Sequence, residues 1–197
     1  AVVRAIQDVY LSRFLGEATY FLGIQMICNG DELKLLQTTK IQQLIESVGL
    51  QDCKPKATPM AAGTVLMPAT EDEAIVSPET FPYCAVVGSL LYIATATRPD
   101  ISFAVNVLAR FMSAPTESHV TAAKHLLRYL AGSLNVGITY TRGCTASMSA
   151  YCDADFAGDK ATSRSTSGYV FTLAGGAVSW SSKRQSTVAL STAEAEY

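Results

Sequence analysis

Five of the chain's seven prolines, at positions 55, 59, 68, 78 and 82, fall within residues 51–82. Proline lacks the amide proton that a helix interior or a central strand needs, so no regular element can run through a stretch of that density. These residues also carry Glu71-Asp72-Glu73 and are expected to form an extended loop or linker. Regular structure must be built on the two flanks.

On the N-terminal flank, residues 1–50, Val2 to Leu11 places apolar residues at helical spacing and stops near Gly16. The apolar runs Thr19 to Ile27 and Leu33 to Leu36 are separated by Asn29-Gly30, a strong hairpin signal. Thr38 or Thr39 is placed to cap a helix over Ile41, Leu44, Ile45 and Val48, with Gly49 past its end. Beyond the prolines, residues 83–142 predict three helices, Tyr83 to Thr95, Asp100 to Met112 and Glu117 to Ala131, with Gly132 capping the third. Val120, Ala123, Leu126, Leu127 and Leu130 give that third helix an apolar stripe. Val136 to Thr141 alternates like a strand, and Gly143 to Ser147 is small and polar enough for a domain joint. Residues 143–197 then predict strands at Met148 to Ala154, Ser167 to Leu173 and Ala177 to Ser182, a Gly175-Gly176 hairpin, and a helix from Ser191.

At 197 residues, 49% hydrophobic and 16% charged, the chain reads as globular, one domain or two small ones. Its longest apolar run, Tyr83 to Ala96, is too short to span a bilayer and is interrupted by Gly88, Ser89 and Thr95. No membrane partner is expected. Both ends read as cuts, since Ala-Val-Val-Arg opens without a Met and Ala-Glu-Ala-Glu-Tyr looks like mid-helix. Five cysteines without a C-x-x-C pair suggest reduced thiols rather than a disulfide scaffold. His119 and His125, six apart, point to different sides of a helix and cannot share a metal. The net charge of −2 hides a local imbalance of +3 over residues 83–142, which is either a phosphate-binding surface or ordinary solvated helix faces.

The densest chemistry lies near the C-terminus. Asp153 and Asp155 end a predicted strand, Asp159 follows in the turn, and Glu194 and Glu196 lie in the first turns of the last helix. A strand-borne Asp facing a helix-borne Glu offers hard oxygen ligands for Mg²⁺. The plainer alternative is that the Asp residues form turns and the Glu residues offset a helix dipole. A calcium loop starting at Asp153 fails at its twelfth position, where Arg164 stands instead of a bidentate Glu.

Three segments here resemble the start of a copia-type retrotransposon RNase H domain. They are Ser-Ala-Tyr-Cys-Asp-Ala-Asp-Phe-Ala-Gly-Asp (149–159), Arg-Ser-Thr-Ser-Gly-Tyr-Val-Phe (164–171), and residues 178–197 from Val-Ser-Trp-Ser-Ser-Lys-Arg-Gln to Ser-Thr-Ala-Glu-Ala-Glu-Tyr. Upstream, Tyr20-Phe-Leu-Gly-Ile24, Cys53-Lys-Pro-Lys-Ala-Thr-Pro-Met60, Val87-Gly-Ser-Leu-Leu-Tyr-Ile-Ala-Thr-Ala-Thr-Arg-Pro-Asp-Ile101 and His125-Leu-Leu-Arg-Tyr-Leu-Ala-Gly132 resemble the reverse transcriptase part of the same Pol polyprotein. The similarity runs in order over essentially the whole chain.

The resemblance implies an α+β fold. Its parts would be the end of the reverse transcriptase palm with a primer-grip-like hairpin (1–50), the linker (51–82), a helical thumb or connection region (83–142) and the N-terminal half of an RNase H-like mixed sheet (143–197). It implies that Asp153 and Glu196 are catalytic Mg²⁺ ligands, with Asp155 secondary and Glu194 not chosen. Phe21, Leu22 and Gly23 would position a primer end, and Cys84, Gly88 and Tyr92, four apart, would share the helix face that tracks a template–primer duplex. A glycine within a helix costs about 1 kcal/mol relative to alanine. Gly88 is therefore explained either by close approach of nucleic acid or by packing against another helix. Lys124 and Arg128 are the leading phosphate contacts, with Arg98, Lys183 and Arg184 as further candidates.

The implied partners are an RNA/DNA hybrid or template–primer duplex and the rest of Pol. The implied location is intracellular, in a cytoplasmic virus-like particle or the nucleus for an active element. The parent would couple RNA-dependent DNA synthesis to Mg²⁺-dependent cleavage of RNA in RNA/DNA hybrids. Yet no Asp-Asp pair stands anywhere in the chain, so the polymerase's Tyr-x-Asp-Asp turn is missing, and the family's further RNase H carboxylate lacks a match. Mg²⁺ would bind weakly or not at all. The alternative is a catalytically inactive remnant that retains at most hybrid binding. An unrelated calcium-binding or scaffold protein would fit the acidic turn but none of the upstream motifs.

Overall fold

A computed structural model describes residues 2–13, 16–144 and 147–197. Helix α1 covers Val2–Val9. Strands β1 (Tyr20–Phe21), β2 (Ile24–Asn29) and β3 (Glu32–Leu36) follow as consecutive antiparallel hairpins. The predicted Asn-Gly hairpin forms, but its two-residue loop is Gly30-Asp31, because Asn29 pairs with Glu32. Gly30 takes φ +59° at the first loop position, where a type II′ turn wants glycine.

Helix α2 runs Thr38–Ser47 and buries Ile41, Leu44 and Ile45. Neither threonine caps it. Gln37 is the N-cap residue, and the Thr38 hydroxyl donates instead to the Leu134 carbonyl at 3.0 Å. Residues 51–82 contain no helix or strand, as expected, but they are docked rather than free. Phe81 is buried, Met60, Leu66 and Val76 pack on the core, and the Val76 amide donates to the Pro115 carbonyl at 2.7 Å.

Helix α3 spans Tyr83–Ala96. The predicted helix from Asp100 to Met112 opens instead as a 3-10 turn at Pro99–Ile101, continues as α4 (Ser102–Ala109), and ends in turns. Helix α5 is Glu117–Ala131, and its predicted stripe is buried throughout. With Leu90, Ile93, Val105 and Leu108, that stripe forms the main core between α2, α3, α4 and α5. Gly132 ends α5 without a left-handed turn, at φ −80°. It is glycine because a Cβ there would lie 2.8 Å from Pro55 of the docked strap.

Strand β4 (Ile138–Thr141) returns to the first sheet and pairs antiparallel with β3, giving the order β1-β2-β3-β4. Gly137 admits it, since any side chain there would strike the Leu35 carbonyl. The expected joint at Gly143 to Ser147 lies partly outside the described residues. Strands β5 (Ser149–Ala154), β6 (Thr166–Leu173) and β7 (Gly176–Arg184) form a second sheet in the order β5-β6-β7. Both of its pairings are antiparallel, so the mixed pairing implied by the resemblance is absent among the described strands. The β6–β7 turn is Ala174-Gly175, both at positive φ, rather than Gly175-Gly176. Gly176 has another role: a Cβ there would lie 2.6 Å from the Tyr140 ring of β4. Helix α6 (Thr192–Glu196) closes the described chain.

Candidate nucleic-acid interface and carboxylate site

The β1–β2 loop is Leu22-Gly23, and both residues are left-handed, at φ +48° and +76°. A left-handed conformation costs an L-residue about 1–2 kcal/mol, and glycine or asparagine is the usual occupant. A leucine there, 70% exposed beside a 61% exposed Phe21, is locally unfavourable twice over, in backbone and in solvation. The hairpin is anchored from α3, whose Tyr92 hydroxyl donates to the Leu22 carbonyl.

Cys84, Gly88 and Tyr92 are all exposed on α3, as their spacing predicts. The structure therefore joins Phe21, Leu22 and Gly23 to this face through Tyr92. A Cβ built on Gly88 meets nothing within 4 Å among the described residues beyond its own helix backbone. Packing against another helix, the alternative explanation for this glycine, has no counterpart among the described residues.

The basic residues fare differently. Arg98 is fully buried: its guanidinium forks onto Asp100 at 2.7–3.2 Å, donates to the carbonyl and hydroxyl of Ser133, and lies 5.5 Å from the Tyr129 ring centre. It is a core ion pair and is withdrawn from any phosphate. Burial would raise the Asp100 carboxyl pKa, but hydrogen bonds from Arg98 and Tyr129 and the Arg98 charge outweigh it and hold it low. Arg184 is likewise committed, paired with the buried Asp159, which also lies 3.6 Å from Arg110. Burial opposes ionisation of Asp159, yet the bonds from Thr162 and Arg184 and the Arg110 charge keep its pKa below the ordinary value. Lys183 remains exposed. Arg128 donates to the Lys54 carbonyl at 2.7 Å, and the Lys124 ammonium sits 5.4 Å from the Phe81 ring centre, so both hold down the proline-rich strap.

Strand β5 presents Asp153 to solvent. Helix α6 ends at Glu196, whose Oε1 accepts from the Ala154 amide at 3.3 Å. The other carboxylates are occupied by backbone. Asp155 accepts from the Gly158 and Thr166 amides at 3.1 and 2.9 Å and closes the loop after β5. Glu194 accepts from the Leu190 amide at 2.8 Å while Ser191 caps the Glu194 amide, so Glu194 secures the start of α6. Among the described residues no group of three His, Cys, Asp or Glu side chains converges on a metal position. Glu196 reaches the end of β5 through the Ala154 amide, next in sequence to Asp153. Arg110 and the aromatic residues Phe103, Tyr151 and Trp180 were not singled out from the sequence, where nothing but their type marks them.

No family model matches the chain, and no solved structure matches it. Curated relatives do. It is 45% identical over 189 residues to the Retrovirus-related Pol polyprotein from transposon RE1 of Arabidopsis thaliana, covering 92% of this chain. It is 40% identical over 188 residues to the corresponding polyprotein from transposon TNT 1-94 of Nicotiana tabacum. The chain belongs to the copia-type retrotransposon Pol polyproteins. It spans 12% of the RE1 Pol polyprotein and 14% of the TNT 1-94 polyprotein. It also aligns with 78% of an uncharacterized mitochondrial protein of Arabidopsis thaliana, at 36% identity over 192 residues. No helix among the described residues of this Pol segment is long and apolar enough to cross a membrane.

Proposed function

We propose that this Pol segment holds a nucleic-acid duplex, a template–primer or an RNA/DNA hybrid, on the β1–β2 tip and the exposed face of α3. One observation carries the reading: an unfavourably exposed, left-handed Leu22 is pinned by Tyr92 against a helix face whose glycine no neighbour among the described residues requires. Apolar groups and a bare stretch of helix backbone suit the sugar edges of a shallow groove, which are read by contact and shape rather than by charge. Leu22→Asn tests this, because asparagine tolerates the left-handed turn. The variant is expected to be at least as stable as the parent and to bind a labelled RNA/DNA hybrid several-fold more weakly. Unchanged affinity in Leu22→Asn combined with Phe21→Ala would refute the proposal.

In the whole polyprotein this grip would serve RNA-dependent DNA synthesis and cleavage of the RNA strand of the hybrid. Asp153 and Glu196 would hold Mg²⁺, whose charge neutralises a phosphodiester and activates water when bound. Two hard oxygen ligands from two elements fit a Mg²⁺ site that completes its shell with water and substrate phosphate. Two are too few to hold the ion tightly, which favours the second reading, that this chain by itself binds hybrid without cutting it. The purified chain is expected to leave RNA/DNA hybrids intact in Mg²⁺. Cleavage that vanishes in Asp153→Asn would overturn that expectation.

A further inference from the structure

Arg110, the residue after α4, is a buried cation with a poor share of partners. Its side chain is only 13% exposed. A guanidinium carries five N–H groups in one plane, and burying it is tolerable only when they are paired. Here Nη2 reaches Asn106 Oδ1 at 3.5 Å and Thr166 Oγ1 at 3.4 Å, both at the outer limit of a hydrogen bond. Nε is fully enclosed and has no partner among the described residues. The carboxylate that should answer it is taken. Asp159 Oδ2 accepts from Arg184 and from the Thr162 hydroxyl, Oδ1 accepts from the Ala161 amide, and Arg110 Nη1 stops 3.6 Å from Oδ2. Asp155 is spent on the Gly158 and Thr166 amides. Burial, joined by the charge of Arg184, lowers the Arg110 pKa more than Asp159 and Asp155 raise it. A buried donor left this bare calls for a further partner.

Arg110 lines a cavity of ≈340 Å³ between the end of α4, the strap at Pro68-Ala69, the loop after β5 and the end of β7. Arg184 lines it too, and its pairing with Asp159 uses Nη1 alone. Ser113 adds a hydroxyl that makes no hydrogen bond among the described residues. Apart from Asp159, whose oxygens already accept, no carboxylate among the described residues lines the cavity. The strap's own Glu71-Asp72-Glu73 does not fill it. A carboxylate would need one planar fork, whereas two guanidinium groups and a hydroxyl on separate segments suit a tetrahedral anion.

We propose that this cavity binds a phosphate group, carried as the free ion or as a monoester. Its oxygens would take the unspent N–H groups of Arg110 and Arg184 and the Ser113 hydroxyl, and the apolar wall of Phe111 and Pro68 leaves room for a sugar. The site shares no residue with the β1–β2 tip, the α3 face, Asp153 or Glu196, so it does not rest on the duplex reading.

Isothermal titration calorimetry of the whole chain with inorganic phosphate, in metal-free buffer at fixed ionic strength, is expected to give a saturable one-to-one isotherm. Ribose 5-phosphate distinguishes the sources: tighter binding than inorganic phosphate assigns the site to an ester, and equal binding assigns it to the free ion. Arg110→Met keeps the stem and removes the charge. It should weaken phosphate binding at least about tenfold, the loss of one hydrogen bond between charged groups. Its melting temperature without phosphate should hold or rise, because an apolar stand-in for a poorly paired buried charge is neutral or stabilising. Ser113→Ala, at an exposed position, should weaken binding about tenfold without touching the core. Absence of saturable binding, or binding undiminished in a folded Arg110→Met or in Ser113→Ala, would each overturn the proposal. Hybrid binding on the same preparations separates the two readings. Phosphate binding without hybrid binding sinks the duplex grip alone, whereas hybrid binding without phosphate binding sinks this site alone.

Discussion

Gly88→Ala separates what α3 does for the fold from what it does for a ligand. Gly88 sits inside a fourteen-residue helix at negative φ, and among the described residues the added methyl meets no atom beyond its own helix backbone within 4 Å. The substitution therefore removes backbone entropy from the unfolded chain without a clash in the folded one, which stabilises by about 0.5–1 kcal/mol. For a chain of this length that is a rise in melting temperature of roughly 1–4 °C. If a duplex lies against this face, the same methyl enters an occupied contact. Overpacking costs about 1–3 kcal/mol, so affinity should fall at least about fivefold. Thermal unfolding by circular dichroism and anisotropy of a labelled RNA/DNA hybrid, at one fixed salt concentration, measure the two quantities on one sample. A more stable protein with weaker binding is the expected result. A more stable protein with unchanged affinity would refute close approach at Gly88, and a less stable one would refute the open space around it.

Three further outcomes follow from the same geometry. Arg98→Ala leaves Asp100 and the Ser133 carbonyl without their donor, and breaking a buried pair costs about 3–5 kcal/mol. The lower end applies because the Asp100 side chain is 32% exposed, and Arg98→Lys should rescue little, since a single ammonium cannot reproduce the fork; urea midpoints decide both. His119 is fully buried, and its Nδ1 accepts the Thr116 amide at the start of α5. Burial lowers its pKa below 6.5 despite opposing contributions from the Met67 backbone and Glu73. The folded state thus binds fewer protons than the unfolded one. Stability is complete above about pH 6.5 and falls as pH drops towards the folded value, by up to about 1.4 kcal/mol per unit. His119→Gln should flatten that limb of a pH–urea series. The acid loss from Asp100 and Asp159 begins only below their ordinary value of 3.8 and should persist. Finally, Lys124→Ala with Arg128→Ala should increase proteolysis within residues 51–82, because both side chains hold the strap. A hybrid affinity that loses its salt dependence in that variant, with the strap still protected, would make them phosphate contacts instead.

Local chemistry was legible. The stripe of α5, the start of α6 at Ser191 and the presence of both hairpins follow from spacing and residue type, which act within a few residues. The turns themselves lie one position away from the dipeptides that signal them, at Gly30-Asp31 rather than Asn29-Gly30 and at Ala174-Gly175 rather than Gly175-Gly176. Register is set by which side chains face the core along the whole strand, and the turn must fit what remains. Of the site residues, the spacing of Cys84, Gly88 and Tyr92 sufficed to put them on one face. Arg98, by contrast, reads as an exposed cation beside a proline and proves to be a core residue. Its partners Asp100, Tyr129 and Ser133 converge only when α5 packs across the Pro99 turn.

The amino-acid sequence by itself determined the family of this chain, its helices, and the placing of its C-terminal carboxylates on a strand, a turn and a helix. Tertiary structure decided which of them meet. Glu196 reaches β5 while Glu194 is spent on its own helix, β4 crosses back to pair with β3, and Tyr151, Gly168 and Trp180 line one cleft beside Asp153. These are contacts between residues tens of positions apart, and closing such loops is favourable only when the whole core forms at once.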